Sequence, residues 1–328
     1  MKAWSIEKPG NREVLKLKEY ITPVPKEGEL LIEVEAAGIN RTDLLTRGNE
    51  SLEAPYPILG VEVSGVVVEN RSTDPQLNAG TRVCGLVNHG GYSEYVTMPA
   101  DRAIILPGNL SFEEGAAIPE VFLTAYQTVY WLGELKEKEK ILIHAAGSGV
   151  GTAAIQLASQ LSQATIFATA GRSDKLEKAK ELGAHVLINY KTEAFDEKVS
   201  KLTEDSGVDV ILDFVGASYW EMNLASCAVD ARWILIGTLG GASVENVSLS
   251  GLMKKCVTLR GTLLTPRSDA YKARLTQEFS QIAMPFFEEK KISPIIHSVV
   301  PFGDLPEAHR IMEDDENIGK IILKVKNG

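Results

Sequence analysis

Ile141 to Gly151, ILIHAAGSGVG, followed by Val150 to Leu161, VGTAAIQLASQL, decides how the rest of the chain reads. Ile141 to His144 has the composition of a buried strand, and the run from Val150 has that of a helix. A strand that ends in a glycine-rich bend and opens a helix turns unpaired backbone N–H groups and the positive helix end toward a pyrophosphate. Aligned on Gly151, the pattern G-x-G-x-x-G has Ala146 and Ser148 at its first two glycine positions, so the motif alone is weak. A tight turn that packs a helix on a sheet without any ligand is the plain alternative. Three glycines at one bend, Gly147, Gly149 and Gly151, weigh against it and toward a bound dinucleotide.

Outward from this segment the chain alternates. Thr165 to Thr169, His185 to Asn189, Val208 to Phe214 and Arg232 to Gly237 read as strands. Between them lie helical segments, among them Ser173 to Leu182 with Gly183 as its stop. Strand–helix alternation with nearly all-apolar strands implies a parallel sheet covered on both faces. Upstream, Leu30 to Ala36, Val61 to Glu69 and Thr81 to Leu86 are short β-branched or alternating runs between Pro, Gly and Asn clusters. They suggest a compact antiparallel barrel or sandwich. Val121 to Leu132 reads as a helix, Tyr271 to Glu289 as one long helix, and Lys320 to Val325 as a last strand. The simplest partition is a nucleotide-type domain inserted into a β-rich domain.

The second strand of the alternating region bears on which dinucleotide is bound. An acidic residue there would accept ribose hydroxyls and repel a 2′-phosphate. Here Gly171 and Arg172 occupy that region, and Arg172, Ser173 and Lys175 offer donors and positive charge to a phosphate. Asp174 dissents, unless it points outward or caps the next helix. The reading favours NADPH, against a plain solvated helix start for Arg172 and Lys175.

Composition narrows the function classes. The 328 residues contain 34 Lys plus Arg and 44 Asp plus Glu, a net charge of −10. An acidic chain is a poor counterion for nucleic acid or an anionic membrane, although a local basic patch is not excluded. With 44% apolar and 24% charged residues the composition is that of a soluble globular protein. Cys84, Cys227 and Cys256 are too few and too scattered for a disulfide framework or a four-cysteine metal site. No signal core or membrane-length apolar run is visible, so the expected location is a reducing, cytoplasmic one.

Several segments together resemble the medium-chain dehydrogenase/reductases, and within them the zinc-free quinone oxidoreductases related to zeta-crystallin. These are Ala37 to Asp43 (AGINRTD), Ile58 to Gly65 (ILGVEVSG), Gly90 to Val96 (GGYSEYV), Ile118 to Tyr126 (IPEVFLTAY) and His144 to Gly151. Ser148 to Leu157, Gly216 to Glu221 and Asn317 to Leu323 are similar to the stress-inducible branch of these enzymes. The resemblance implies an α/β protein: a doubly wound parallel-sheet (Rossmann) domain over 122–261, inserted into a β-rich GroES-like catalytic domain over 1–121 plus 262–328. It implies hydride transfer from NADPH to a quinone without metal, or reduction of 2-alkenals, enones or enoyl thioesters in the same fold. A third, non-catalytic possibility is a structural or RNA-binding role, which the net charge counts against.

The resemblance also assigns residues one by one. Asn40 is expected near the nicotinamide and substrate, its amide donating to a developing oxyanion; a turn-capping amide is the alternative. Thr124 is expected beside the nicotinamide ribose. Gly147, Ser148, Gly149 and Val150 match the pyrophosphate turn, with Ser148 also a substrate-side hydroxyl. Gly171, Arg172, Ser173, Lys175 and Tyr190 match the adenosine phosphate region, although Tyr190 could equally be a half-buried ring against the sheet. Gly237, Gly261 and, less strongly, Lys320 are further cofactor contacts. Zinc-dependent relatives place a cysteine where this chain has Asn40 and a histidine at Val61, beside Glu62, so no metal is expected. A tyrosine usual after Arg-x-Gly is missing from Arg47 to Glu53, and Tyr56 is expected to be a buried aromatic instead. Homodimers paired along an edge strand are usual in the family, and Val257 to Leu264 suits such an edge.

Overall fold

A computed structural model describes residues 1–326 and divides into two compact units. The first comprises Met1–Leu123 together with the part from Asp269 onward, and the second is Thr124–Ser268. The expected limits of the inserted domain were 121/122 and 261/262; the unit limits fall two and seven residues later.

In chain order the strands are β1 (Lys2–Ile6), β2 (Leu15–Glu19), β3 (Glu29–Ile39), β4 (Glu62–Asn70), β5 (Arg82–Leu86), β6 (Tyr95–Pro99) and β7 (Ala103–Ile105). They continue with β8 (Lys140–Ile143), β9 (Thr165–Ala170), β10 (Val186–Asn189), β11 (Val208–Asp213), β12 (Cys227–Leu235), β13 (Thr258–Gly261), β14 (Ile296–Pro301) and β15 (Lys320–Lys324).

The second unit holds a six-stranded sheet in the order β10-β9-β8-β11-β12-β13, and all its pairings are parallel. Counted within the unit this is 3-2-1-4-5-6, the doubly wound order whose direction reverses beside its first strand. β8 is that first strand, so the quoted glycine segment leaves the sheet at the switch point. Leu142, Phe167, Ile188, Phe195, Ile211 and Trp233 belong to its buried core.

The first unit is built on a seven-stranded sheet, β14-β15-β3-β4-β5-β7 with β6 also paired to β3; β1 and β2 form a separate antiparallel pair. Two registers shape one end of this sheet. Ile321 of β15 faces Ile39 of β3, and Val63 of β4 faces Ala37. The neighbours Lys320, Asn40 and Glu62 are therefore brought to one end of three adjacent strands.

Two expected helices are divided. Pro119–Tyr126 is α-helical, but Gln127–Leu132 winds as a π-helix, with Gly133 N–H bonded to the Thr128 carbonyl five residues back. Tyr271 to Glu289 splits into Asp269–Ile282 and Met284–Glu288, with Pro285 in the first turn of the second helix. Proline has no N–H for the ladder and its ring collides with the carbonyl four residues back, so the helix must restart there.

Trp233 is fully buried in the second unit and its indole N–H bonds Asp213 Oδ2 at 3.0 Å. Replacing it with Ala is expected to lower stability by about 3–5 kcal/mol in urea unfolding, the usual cost of deleting a large buried aromatic.

Candidate functional site

In the second unit the turn after β8 is fixed from several directions. Ala146 N–H bonds the Thr169 carbonyl of β9 at 3.0 Å, and Ser148 N–H bonds the Ala145 carbonyl at 2.9 Å. Ser148 is the N-cap of the helix Gly149–Ser162, its Oγ accepting the Gly151 N–H at 3.0 Å. The Ser148 acceptor is thus spent on the cap while its hydroxyl proton stays available. A Cβ on Gly151 would lie 2.4 Å from the Ala145 carbonyl oxygen, so only glycine lets helix and turn approach this closely. With no acidic residue in its first turn, the helix presents an uncompensated positive end.

Beneath this turn lies a buried polar network that the sequence reading did not find. His144 Nε2 meets Asn223 Oδ1 at 2.7 Å, and Nδ1 meets Thr169 Oγ1 at 2.9 Å. An amide oxygen only accepts, so Nε2 carries a proton and donates it to Asn223. Burial pushes the His144 pKa down, with Asp213 and Asn223 opposing. Asn223 Nδ2 and Trp233 Nε1 both donate to Asp213 Oδ2, while Asp213 Oδ1 accepts the backbone N–H groups of Val215 and Gly216. These bonds tie β8, β9, β11 and β12 together at their carboxyl ends. The signal in the sequence was Asp213 ending an otherwise apolar strand.

The region past β9 gathers the expected phosphate-binding residues. Gly171 lies against Tyr190: a Cβ there would sit 2.5 Å from the phenol oxygen. Tyr190 is 45% exposed and meets Tyr219 edge-on, which places it as an open ring rather than one packed under the sheet. Lys175 is buried, and its aliphatic stem lies where a Cβ on Gly147 would go, 2.6 Å away, which joins this region to the turn after β8. Arg172 donates through Nε and Nη2 to the two carboxylate oxygens of Asp174, and Asp174 also accepts the Lys175 N–H at 2.8 Å. Asp174 therefore neither points idly outward nor caps the helix alone; it clasps the guanidinium expected to meet a phosphate. Ser173 is exposed at the helix start, Gly237 follows β12, Gly261 ends β13 with open space beside it, and Thr124 is buried. The unit offers backbone donors, a positive helix end, Lys175, Arg172 and an open tyrosine, a set that fits a phosphorylated dinucleotide.

In the first unit a buried charged cluster surrounds Asn40. Lys320 Nζ donates to the Ile39 carbonyl (2.7 Å), Asn40 Oδ1 (2.6 Å) and Glu62 Oε1 (2.6 Å). Asn40 Nδ2 donates to Glu62 Oε1 at 2.8 Å and to the Gly38 carbonyl at 3.3 Å. Glu62 Oε2 accepts the Glu120 N–H at 2.8 Å. Beside them, Asp43 accepts from Tyr92 Oη (2.6 Å), Asn40 N–H (2.9 Å) and Gly60 N–H (3.2 Å). Burial pushes Asp43 up to about 6, opposed by the Tyr92 and Asn40 hydrogen bonds and by Lys320.

These bonds revise two expectations. An ammonium has three hydrogens, and all three of Lys320 are used inside the first unit, leaving none for a cofactor. Both amide hydrogens of Asn40 are likewise engaged, so its N–H groups brace Glu62 and the strand end instead of standing free for an oxyanion. The cluster also bears on zinc. Asn40 and Glu62 already enclose the Lys320 ammonium, and a divalent cation added there would meet a like charge. This donor set does not fit a zinc ion. Glu50, Ser51 and Glu53 are exposed, and Tyr56, expected to be a buried aromatic, is only half-buried against the hydrophobic core.

Gly151→Ala forces its Cβ onto a backbone oxygen. Fluorescence titration with a nicotinamide dinucleotide is expected to show at least about tenfold weaker binding, the equivalent of roughly 1.4 kcal/mol.

Comparison with known proteins agrees with this architecture. Residues 26–108 match the alcohol dehydrogenase GroES-like domain, and residues 149–286 match the zinc-binding dehydrogenase domain. Quinone oxidoreductase 1 of Escherichia coli (strain K12) is 32% identical over 323 residues, covering 96% of this chain and 97% of that one. The synaptic vesicle membrane protein VAT-1 homolog-like of Mus musculus is 29% identical over 97% of this chain and 79% of its own. Among solved structures, Escherichia coli quinone oxidoreductase complexed with NADPH superimposes with a TM-score of 0.88 at 30% identity, over 99% of this chain and all of that one. With both domain types present and a relative of this identity along nearly its whole length, the chain belongs to the medium-chain dehydrogenase/reductase family of oxidoreductases.

Proposed function

We propose that this chain is an NADPH-dependent reductase of quinones that works without a metal. The observation that carries the reading is the Ser148-capped helix end and glycine turn, joined through Gly147 and Lys175 to a region holding Arg172 and Tyr190. NADPH, when bound, supplies the hydride. The backbone N–H groups of Gly149 and Val150 and the helix end face its pyrophosphate. Lys175, Arg172, Ser173 and Tyr190 hold the adenosine phosphate, Gly171 gives it room, and Thr124 lies beside the nicotinamide ribose. The relative solved with NADPH supports this choice of cofactor.

The Lys320 ammonium in the Asn40–Glu62 cluster suits a substrate that is already electrophilic. A catalytic metal polarises a carbonyl as a Lewis acid. A quinone instead spreads incoming charge over its own π system, so the protein supplies mainly orientation and a partly dry site. Conjugated enals and enones share this property and form the second substrate class.

The edge strand β13 leaves all four residues exposed, with Leu259 39% and nearby Leu263 63% accessible. We assign this edge to a homodimer contact, to be checked by sedimentation at micromolar concentration. No helix among the described residues is long and apolar enough to cross a membrane. A cytoplasmic location is part of the same proposal and rests on the acidic, globular composition of the chain.

NADPH consumption against ortho- and para-quinones and simple enals, repeated with NADH, is expected to show quinone turnover with NADPH preferred. Turnover confined to enals would move the assignment to alkene reduction, and absence of any turnover would refute it. Arg172→Ala combined with Lys175→Ala is expected to cut the NADPH-over-NADH preference by about 10–100-fold, the loss of one or two charged hydrogen bonds. Asp174→Asn, which removes the carboxylate that competes with a phosphate for Arg172, is expected to raise that preference.

A further inference from the structure

β9 is the second strand of the doubly wound sheet, and in that architecture the residues just past its end meet the 2′ position of the adenosine ribose. Asn189 of β10 pairs with Ala170 of β9, so Tyr190 and Lys191 leave β10 beside the place where Gly171 leaves β9. What surrounds the missing side chain of Gly171 is therefore informative. A Cβ there would lie 2.5 Å from Tyr190 Oη and 3.0 Å from Lys191 Cε. A phenol oxygen and the last methylene of a lysine thus close on one point at the end of β9.

The cations of this region are not equivalent. Arg172 is gripped by the Asp174 carboxylate through Nε and Nη2. Lys175 is buried, with its stem against Gly147. Lys191 is exposed, and its ammonium makes no hydrogen bond or ion pair among the described residues. Glu193, two positions on, is taken by Lys198 at 2.6 Å. The backbone that carries Lys191 is nevertheless fixed. Asn189 Oδ1 accepts the Lys191 N–H at 3.1 Å, and the Asn189 carbonyl accepts the N–H groups of Thr192 and Glu193 at 3.0 and 2.9 Å. The Tyr190 hydroxyl also has no hydrogen-bond partner among the described residues, while its ring is held edge-on to Tyr219.

From this arrangement we propose that Lys191 is a specificity-determining residue for NADPH: its ammonium and the Tyr190 hydroxyl take the 2′-phosphate of the adenosine ribose in the space that Gly171 leaves. The proposal rests on the NADPH reading above and adds to that site a residue outside the set read from the sequence. An ammonium and a phenol O–H both donate, and the oxygens of a phosphate accept. A bare ribose hydroxyl brings no charge to meet the ammonium, so the pair favours the phosphorylated cofactor. A phosphate that approaches Arg172 competes with a carboxylate already in place, whereas one that approaches Lys191 displaces only water. The turn pinned by Asn189 holds the stem of Lys191 beside Gly171, and the flexible end of the side chain lets the ammonium settle on the phosphate.

The test measures dissociation constants of NADPH and NADH, which differ only in the 2′-phosphate, by fluorescence titration of the wild-type chain, Lys191→Ala and Lys191→Arg. The wild type is expected to bind NADPH more tightly. Lys191→Ala is expected to lose about 10–100-fold of that preference, the loss of a charged hydrogen bond, through weaker NADPH binding with NADH binding unchanged. Lys191→Arg keeps the charge and is expected to retain most of the preference. A Lys191→Ala variant with the wild-type preference, or one that loses affinity for both cofactors alike, would overturn the role of Lys191 and leave the NADPH reading standing. A wild type that binds both cofactors equally would overturn the NADPH reading and this proposal with it.

Discussion

The Lys320 ammonium, closed in by the Ile39 carbonyl, Asn40 and Glu62, is the constraint around which the first unit is arranged. Burying a carboxylate and an ammonium together is costly unless each is well bonded. Here every hydrogen of the ammonium has an acceptor at 2.6–2.7 Å. The geometry comes from strand register: Ile321 faces Ile39 across β15 and β3, and Val63 faces Ala37 across β3 and β4. A one-residue slip would point one of the partners to the other face of the sheet and leave a bare buried charge. The cluster thus fixes the register as much as the register forms the cluster.

The second unit uses a related device, built without an ammonium. His144, Thr169, Asn223, Asp213 and Trp233 form a satisfied network under the glycine turn, and it links four parallel strands where they end. Such a network is rigid because no member can move without stranding a polar partner in a dry interior. The turn above it can then hold backbone N–H groups in fixed directions, which is what anion recognition at a helix end requires. The two units thus have separate internal supports.

Much of this was legible in the residues alone, and the rest was hidden for specific reasons. Apolar strands alternating with helices announced the parallel sheet, and Gly147, Gly149 and Gly151 marked the turn, because these are local signals. Lys320 read as a weak cofactor candidate because its partner Asn40 is 280 positions away and only strand pairing brings them together. Asn40 read as a free donor for the same reason. The helix Tyr271 to Glu289 read as continuous because its apolar spacing runs through Pro285, whose missing N–H decides the matter locally. Asp174 read as a dissent unless it pointed outward or capped the helix, although its spacing of two from Arg172 allows the clasp seen between them.

The claim that an ammonium–carboxylate pair organises the first unit is tested most directly by a double-mutant cycle on Lys320→Met and Glu62→Gln, read by urea unfolding. Each single change leaves the other charge buried without its partner and is expected to cost about 3–5 kcal/mol. The double variant should recover part of that loss, giving a coupling of about 1–3 kcal/mol. Additivity within about 0.5 kcal/mol would show that the two groups do not depend on each other and would contradict the account.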